Sequence, residues 1–522
     1  MELRNGTKGV LPMNKHTLTA GITALLMTVS LLCPLHALAA PETSTAQTSQ
    51  STSAAQTSQP ANTSAAQTSD QTQAEGDTSE ETENIQGVKL QMDTISESIF
   101  LADNVTGTVL LEKNADTKRP PAGFAKVVTA LVVLENGNVN DTVVISENAG
   151  TAFGKATGLV DLVPGEEITV SELLYCMMLA PSNEAALALA EHISGNDVNA
   201  FVDQMNELAQ RAGCENTRFV NVTGLDTDNQ YTTARDMFRI ARYAMSNARF
   251  MAIANSQHKQ TYSKQPQSDG TMVEKERYFS NDNRLISQIR DLSYYYSAAE
   301  GIISSYTAKA GYCLMTTAQK SADGMNLVCI VMGGKTYTEG GDPQTGQGGT
   351  ERISSYVDAK NLMVAAFDQF ELRNIAMAGE VIDEVPVKAS TSKDAVTVGT
   401  QSNVQIVLPK DAKDSEVVRN IEKVEEVKAP VKTGDVLGTM SISYDGVQYG
   451  PYSLIALSDV SGNLVASVLY EIGRFFRSTI VQIVIILLII FGIFYINLTI
   501  RTNRKRRDEI RRNKMRKSQK RY

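Results

Sequence analysis

The sequence predicts a mixed α/β domain, then a small all-β module, then one membrane-spanning helix. Three observations carry this. Strand-like runs at Ser98–Ala102 and Thr108–Glu112 open the ordered region, helical patterns fill its middle, and strand-like runs at Tyr312–Ala318 and Met325–Met332 close it. That order suits a sheet closed by the two ends of its own domain. From Ala376 to Val460 the pattern changes to short alternating strands. Thr479–Ile500 is 22 residues without a charge, long enough at ~1.5 Å per residue to cross the ~30 Å core of a bilayer.

The chain begins with a secretory pattern over residues 1–39. Arg4, Lys8 and Lys15 precede the apolar stretch Thr17–Leu32, and Ala37-Leu38-Ala39 gives a small-x-small cleavage site. Residues 40–83 are almost entirely Ser, Thr, Ala, Gln, Pro and acids, and Thr52–Ser58 recurs as Thr63–Ser69. Such a segment cannot bury enough apolar surface to offset its ordering entropy, so it reads as a disordered spacer.

The α/β domain is placed at 84–372. Asp103–Gly107 reads as the turn of a first hairpin. A helix then starts after Arg119-Pro120-Pro121-Ala122, with Val127, Val128, Leu131, Val132 and Leu134 on its apolar side and Gly137 as its stop. Thr169-Val170-Ser171-Glu172 is a capping box before the apolar helix Leu173–Leu179. Pro181 interrupts that helix, and Ser182 caps a second one, Asn183–His192. Further helices fall near 198–212, 233–247 and 351–370. Asp323-Gly324 turns between the closing strands, and the Gly-rich residues 338–350 read as a surface loop. In the β module, placed at 376–460, Val396–Val398, Val404–Leu408 and Thr439–Tyr444 are strands, and Asp445-Gly446 is a hairpin turn.

Charge narrows the partners. The net charge is −9, but Arg501–Tyr522 carries twelve Lys/Arg against two acids, so a +10 tail leaves −19 on the rest. An acidic body argues against nucleic acid, and a basic tail directly after an apolar span favours lipid headgroups and a cytoplasmic side. With a cleaved signal the body lies outside the membrane. Cys176, Cys214, Cys313 and Cys329 are far apart with apolar neighbours, so they read as buried thiols, one disulfide staying open; no CxxC calls for a metal. Beyond the secretory segment, His192 and His258 remain, neither with an evident acidic partner. Nothing calls for a cofactor.

Residues 95–335 resemble the D-alanyl-D-alanine carboxypeptidases, the low-molecular-mass penicillin-binding proteins. The matching stretches include Leu111–Asp116, Arg119–Ala122, Pro164-Gly165-Glu166, Asn183–Ala186, Thr217–Asn221, Gly224-Leu225-Asp226, Thr233–Asp236 and Ala310–Leu314. The module at 376–460, with Lys428–Lys432 and Gly438, is similar to the C-terminal domain of these enzymes. The resemblance implies a penicillin-binding/β-lactamase-like fold and an ancestry in trimming terminal D-Ala from peptidoglycan.

That chemistry uses three motifs, S-x-x-K, S-x-N and K-T-G. In the first, serine attacks the carbonyl and a lysine one turn on takes its proton, which requires both on one helix face. Here the first motif reads Gly123-Phe124-Ala125-Lys126, the second Pro181-Ser182-Asn183, and the third Ile303-Ser304-Ser305. Lys126 and Asn183 persist without their partners. Ser182, Ser304 and Ser305 are the hydroxyls left near the substrate side, and Ser182 is a candidate to meet Lys126. Ser256–Lys259 and Ser390–Lys393 match S-x-x-K as bare strings, the first in a strand-like context and the second in the linker to the β module; Lys335-Thr336-Tyr337 is a near K-T-G in the wrong place. Loss of a hydrolytic nucleophile costs about 10⁶ in turnover in a serine protease.

Three functions fit this pattern. One is an inactive, membrane-anchored envelope protein that binds peptidoglycan or an envelope protein. Another is a divergent active D,D-carboxypeptidase. The third is a scaffold acting through its membrane helix and basic tail.

Overall fold

The computed structural model describes residues 89–153, 160–320, 324–340, 348–390 and 392–519. The secretory segment, the spacer and Asp323 lie outside them, as does the middle of the Gly-rich loop.

In chain order the first nine strands are β1 (Ser98–Asp103), β2 (Val109–Lys113), β3 (Thr142–Val144), β4 (Glu167–Thr169), β5 (His258–Pro266), β6 (Met272–Ser280), β7 (Ala299–Thr307), β8 (Gly311–Gln319) and β9 (Asn326–Gly334). They form two antiparallel sheets, a central one ordered β2-β1-β9-β8-β7 and a smaller one ordered β3-β4-β5-β6. The expected closure by both ends of the domain is thus a direct pairing of β1 with β9, Phe100 facing Ile330.

Among the described residues eight helices accompany these sheets: α1 (Phe124–Asn136), α2 (Glu147–Thr151), α3 (Val170–Leu179), α4 (Asn183–Ser194), α5 (Val198–Arg211), α6 (Ala234–Met245), α7 (Ala248–Ala254) and α8 (Ser354–Gln369). The period-two alternation of the strands splits the core into two layers. Phe100, Val328 and Ile330 join the layer holding α1, α3 and α4, whereas Leu101, Cys329 and Val331 join Leu362, Met363 and Phe367 of α8.

α1 differs from the amphipathic helix that its apolar side suggests. Every residue from Phe124 to Val133 is buried, Lys126 and Thr129 included. A helix apolar nearly all round belongs inside a domain, and α1 is the central one. At α3 half of the expected capping box forms. The Thr169 hydroxyl accepts the Glu172 N–H (3.2 Å), but the Glu172 carboxylate turns to the backbone N–H of Tyr262 on β5 (2.8 Å). The 338–350 stretch is not wholly loop, because Thr336–Glu339 pairs with Thr350–Ile353.

The small sheet has a polar interior. Arg277 of β6 forms a buried pair with Glu166 (2.7 Å) and also donates to Ser263 (2.8 Å) and to the carbonyl of Val160 (2.7 Å).

Strand Phe370–Ala376 already pairs with Val404–Pro409, so β pairing starts before the change in sequence pattern. Six further strands between Asp383 and Ala456 form one sheet. Its hairpin turn has positive φ at Asp445 (46°) and Gly446 (78°), the pair of angles that a type I′ turn requires. Ser390 and Lys393 lie between two strands of this module rather than in a linker before it. Two helices follow: α9 (Leu464–Arg477), which is additional to the elements expected above, and α10 (Thr479–Gln519). α10 carries the apolar stretch and continues through the basic residues without a break.

Candidate functional site

The site is assembled at the start of α1. Ala122 takes φ +48°, and Gly123 holds the N-cap position with no side-chain cap. The loop Asn221–Gly224 wraps this end. Asn221 Oδ1 accepts the N–H of Thr223 (3.2 Å) and of Gly224 (2.7 Å), and Val222 O accepts the Thr129 hydroxyl (2.8 Å). Gly224 is at φ +79°, and a Cβ there would lie 1.6 Å from Ala122 O. Glycine is required by backbone angle and by space alike.

Lys126 projects from the first turn of α1 into this enclosure, with 4% of its surface exposed. Its Nζ donates to Asn183 Oδ1 (2.8 Å) and to Thr223 O (2.7 Å). Burial pushes its pKa down to about 7, outweighing the charge of Glu184, which works in the other direction. The lysine and the asparagine singled out by the motifs are therefore bonded to one another.

Ser182 is not with them. Its hydroxyl accepts the Ala185 N–H (3.1 Å) as the cap of α4 and donates to Glu184 (2.8 Å). β7, the edge strand of the central sheet, divides the remaining two serines by alternation. Ile303 and Ser305 face α1, and Ile303 is fully buried. Ser304 faces the opposite layer, where its hydroxyl donates toward Asp282 O (3.2 Å) and accepts from Tyr356 (2.9 Å). The pleat thus sets Ser304 and Ser305 on opposite sides of the strand, with only Ser305 beside Gly123.

One relation was not legible. The backbone N–H of Gly123 donates to Ser305 Oγ (3.0 Å), and a Cβ on Gly123 would stand 2.7 Å from Ser305 Cβ. The serine position of the first motif holds glycine, and the glycine position of the third holds serine. That complementarity in volume is the signal that could have revealed the contact.

The bare-string matches do not assemble a second site. Ser256 bonds the carbonyl of Ala252 (2.8 Å) while Lys259 lies over the Tyr175 ring (4.6 Å). Lys393 donates to Ser458 (2.9 Å) and Lys335 pairs with Glu97 (2.7 Å). Among the described residues Cys176, Cys214, Cys313 and Cys329 are free thiols. Burial raises Cys176 to about 12 and Cys313 to about 11, away from nucleophilic or metal-binding use. His192 does have an acidic neighbour, Asp141 at 3.8 Å. No cluster of His, Cys, Asp and Glu able to hold a metal occurs among the described residues.

Known proteins share the sequence pattern and the fold. A family model described as D-alanyl-D-alanine carboxypeptidase matches residues 78–336, and one for the C-terminal domain of penicillin-binding protein 5 matches 370–461. D-alanyl-D-alanine carboxypeptidase DacF of Bacillus subtilis (strain 168) is 29% identical over 67% of this chain and 82% of its own length. The crystal structure of penicillin binding protein 5 from Haemophilus influenzae is 28% identical, spans 71% of this chain and 99% of its own, and superposes with a TM-score of 0.57. Since D-alanyl-D-alanine carboxypeptidase DacA of Escherichia coli (strain K12) is 30% identical over 73% of this chain and 88% of its own length, the chain belongs to the D-alanyl-D-alanine carboxypeptidase family.

Proposed function

We propose that this chain is a membrane-anchored, extracytoplasmic member of the family that no longer hydrolyses, and that it acts by binding peptidoglycan or an envelope protein. One observation carries the reading. At the place of the attacking serine stands Gly123, whose backbone N–H is already donated to Ser305. An N–H at a helix start is the kind of donor that stabilises an oxyanion, and here it is taken by the protein itself. Ile303, buried against α1, stands where the family motif has a lysine to meet the substrate carboxylate. The apolar part of α10 supports a single span, and its basic continuation supports a cytoplasmic tail.

The test is incubation of the full-length protein with a fluorescent penicillin, followed by denaturation. The expected result is no covalent adduct, with retention on purified peptidoglycan in a sedimentation assay. An adduct that survives denaturation overturns inactivity.

A second reading is favoured by the same corner of the site. Ser305 brings a hydroxyl to the start of α1, and Lys126, with its pKa near 7, is about half neutral at neutral pH. Ser305 Oγ would attack the carbonyl carbon and give its proton to a base, the amide C–N bond would break as the terminal D-Ala amine takes up a proton, and water would then hydrolyse the acyl ester and return the Ser305 hydroxyl. Labelling that Ser305→Ala abolishes would establish this reading.

A further inference from the structure

A hollow of about 380 Å³ opens where the turn between β7 and β8 meets the end of β9. Clefts that hold small ligands run from ~300 to ~1,000 Å³. The hollow lies on the other side of β7 from Ser305. Tyr306, like Ser304, points away from α1, and its cross-strand neighbour Tyr312 packs against the layer of α8. The two rings are tilted at 41° with centroids 4.6 Å apart, and Tyr306 is 59% exposed. The floor is glycine. A Cβ on Gly311 would stand 2.7 Å from Gly334 O, and one on Gly333 would stand 2.6 Å from Arg119 Nη2. The missing side chains let two strand ends close up and the guanidinium lie beside them.

The charged residues lining the hollow are three cations, Arg119, Lys309 and Lys335, and one acid, Glu97. Glu97 pairs with Lys335 (2.7 Å) and with Arg119, and the hydrogen bonds from these two hold its carboxyl below the usual carboxylate range. Arg119 Nε is buried without an acceptor among the described residues, a deficit that calls for an ion or a water. Lys309 pairs with Asp228 at 3.9 Å, but that side chain is 96% exposed, and so solvated a pair is worth little. Asp226, close by, is committed to the Thr307 hydroxyl (2.8 Å) and the Lys309 N–H (3.2 Å).

We propose that this hollow binds an acidic sugar, its ring stacked on Tyr306 and its carboxylate or phosphate held by Lys309 and Lys335 beside Arg119. A tyrosine ring is apolar on its face and polar at its tip, which suits the C–H side and the hydroxyls of a pyranose. Ammonium and guanidinium donors make the stronger, charge-assisted bonds to an anion on that ring. The hollow is separate from the start of α1, so it can hold an envelope glycan whichever chemistry Gly123 leaves. It deepens the binding half of the proposed function, and rests on that reading for access to such glycans.

The sequence contains no tryptophan, so Tyr306→Trp in the full-length protein reports this place alone. Its emission is titrated with N-acetylmuramic acid, which carries a carboxylate, with glucose phosphate, and with neutral N-acetylglucosamine. The expected result is a saturable shift with at least one acidic sugar, bound at least tenfold more tightly than the neutral one. Adding Lys309→Gln and Lys335→Gln should weaken that binding at least fivefold. Which acid binds separates a carboxylate source from a phosphate source. Equal affinity for the neutral sugar, unchanged affinity without the two lysines, an equal shift from Tyr278→Trp on β6, or no shift at all overturns the site. Sedimentation with peptidoglycan keeps the two readings apart. Protein that binds the acidic sugar but is not retained keeps this site and removes the proposed peptidoglycan binding; protein that is retained but shows no shift does the reverse.

Discussion

The backbone N–H of Gly123 and the hydroxyl of Ser305 lie 3.0 Å apart, although 182 positions separate them in the chain. The contact exists because residue 123 carries no side chain and residue 305 carries a small hydroxyl. Placing serine at 123 alone therefore pushes its Cβ into Ser305. Gly123→Ser is expected to cost about 1–3 kcal/mol as overpacking and to give no penicillin adduct. Adding Ser305→Gly relieves the clash, so the double-mutant cycle gives a coupling of about 0.5–3 kcal/mol. Thermal unfolding of the four proteins measures it; additive effects would show that the two sites are independent.

Lys126 links the site to pH. Its folded pKa, about 7, lies below the ordinary 10.5 because burial penalises the charge. Between these values the unfolded chain binds more protons than the folded one, so the contribution of Lys126 to stability rises as pH increases from about 7 toward 10.5. Below pH 7 both states are protonated and the full penalty of the buried charge remains. Urea midpoints compared at pH 6.5 and 9 should show this rise in the wild type, and Lys126→Met should remove it from the difference between the two proteins.

Gly224 supports the same helix from the loop side. Gly224→Ala sets a Cβ 1.6 Å from Ala122 O and strains a backbone at φ +79°. The expected cost exceeds about 3 kcal/mol, in the range of the most damaging single substitutions. Gly446→Ala, also at positive φ but with open space around it, should cost about 1 kcal/mol from strain alone. Denaturation midpoints of the two variants separate space from angle.

The pair Glu166–Arg277 offers a test of buried charge. Burial works to raise the Glu166 carboxyl, but hydrogen bonds from Arg277, Ser263 and Gln265 outweigh it and hold its pKa lowered. Arg277→Met leaves that carboxylate unpaired and should destabilise by about 3–5 kcal/mol. The double variant Glu166→Gln with Arg277→Met should recover most of the loss, as read by urea unfolding.

Much of this architecture is legible from residues alone. Ser182 announces α4, and the apolar runs ending at Ala318 and Met332 announce β8 and β9 because their side chains fill the core directly. The small sheet was hidden for a physical reason. The inward residues of β5 and β6 include Thr261, Ser263 and Arg277, so burial leaves no hydrophobic alternation to read. α9 was also legible, since Leu464, Val468, Leu469, Ile472, Phe475 and Phe476 recur at helical spacing. At the site, Lys126 and Asn183 follow from motif spacing, a local property. That Ser305 turns toward Gly123 while Ser304 turns away depends on where an edge strand meets a helix, which no local pattern records.

The pairing of β1 with β9 also governs when this domain can take shape. Ser98–Asp103 must wait for Asn326–Gly334, so during synthesis more than two hundred residues emerge before its second edge is covered. Until then β2 is its only neighbour in the central sheet, and both apolar faces await layers contributed later. Distant pairing of this kind slows folding and prolongs exposure to aggregation. A ribosome-stalled chain ending before residue 326 should therefore remain open to protease at β1, whichever chemistry the finished protein keeps.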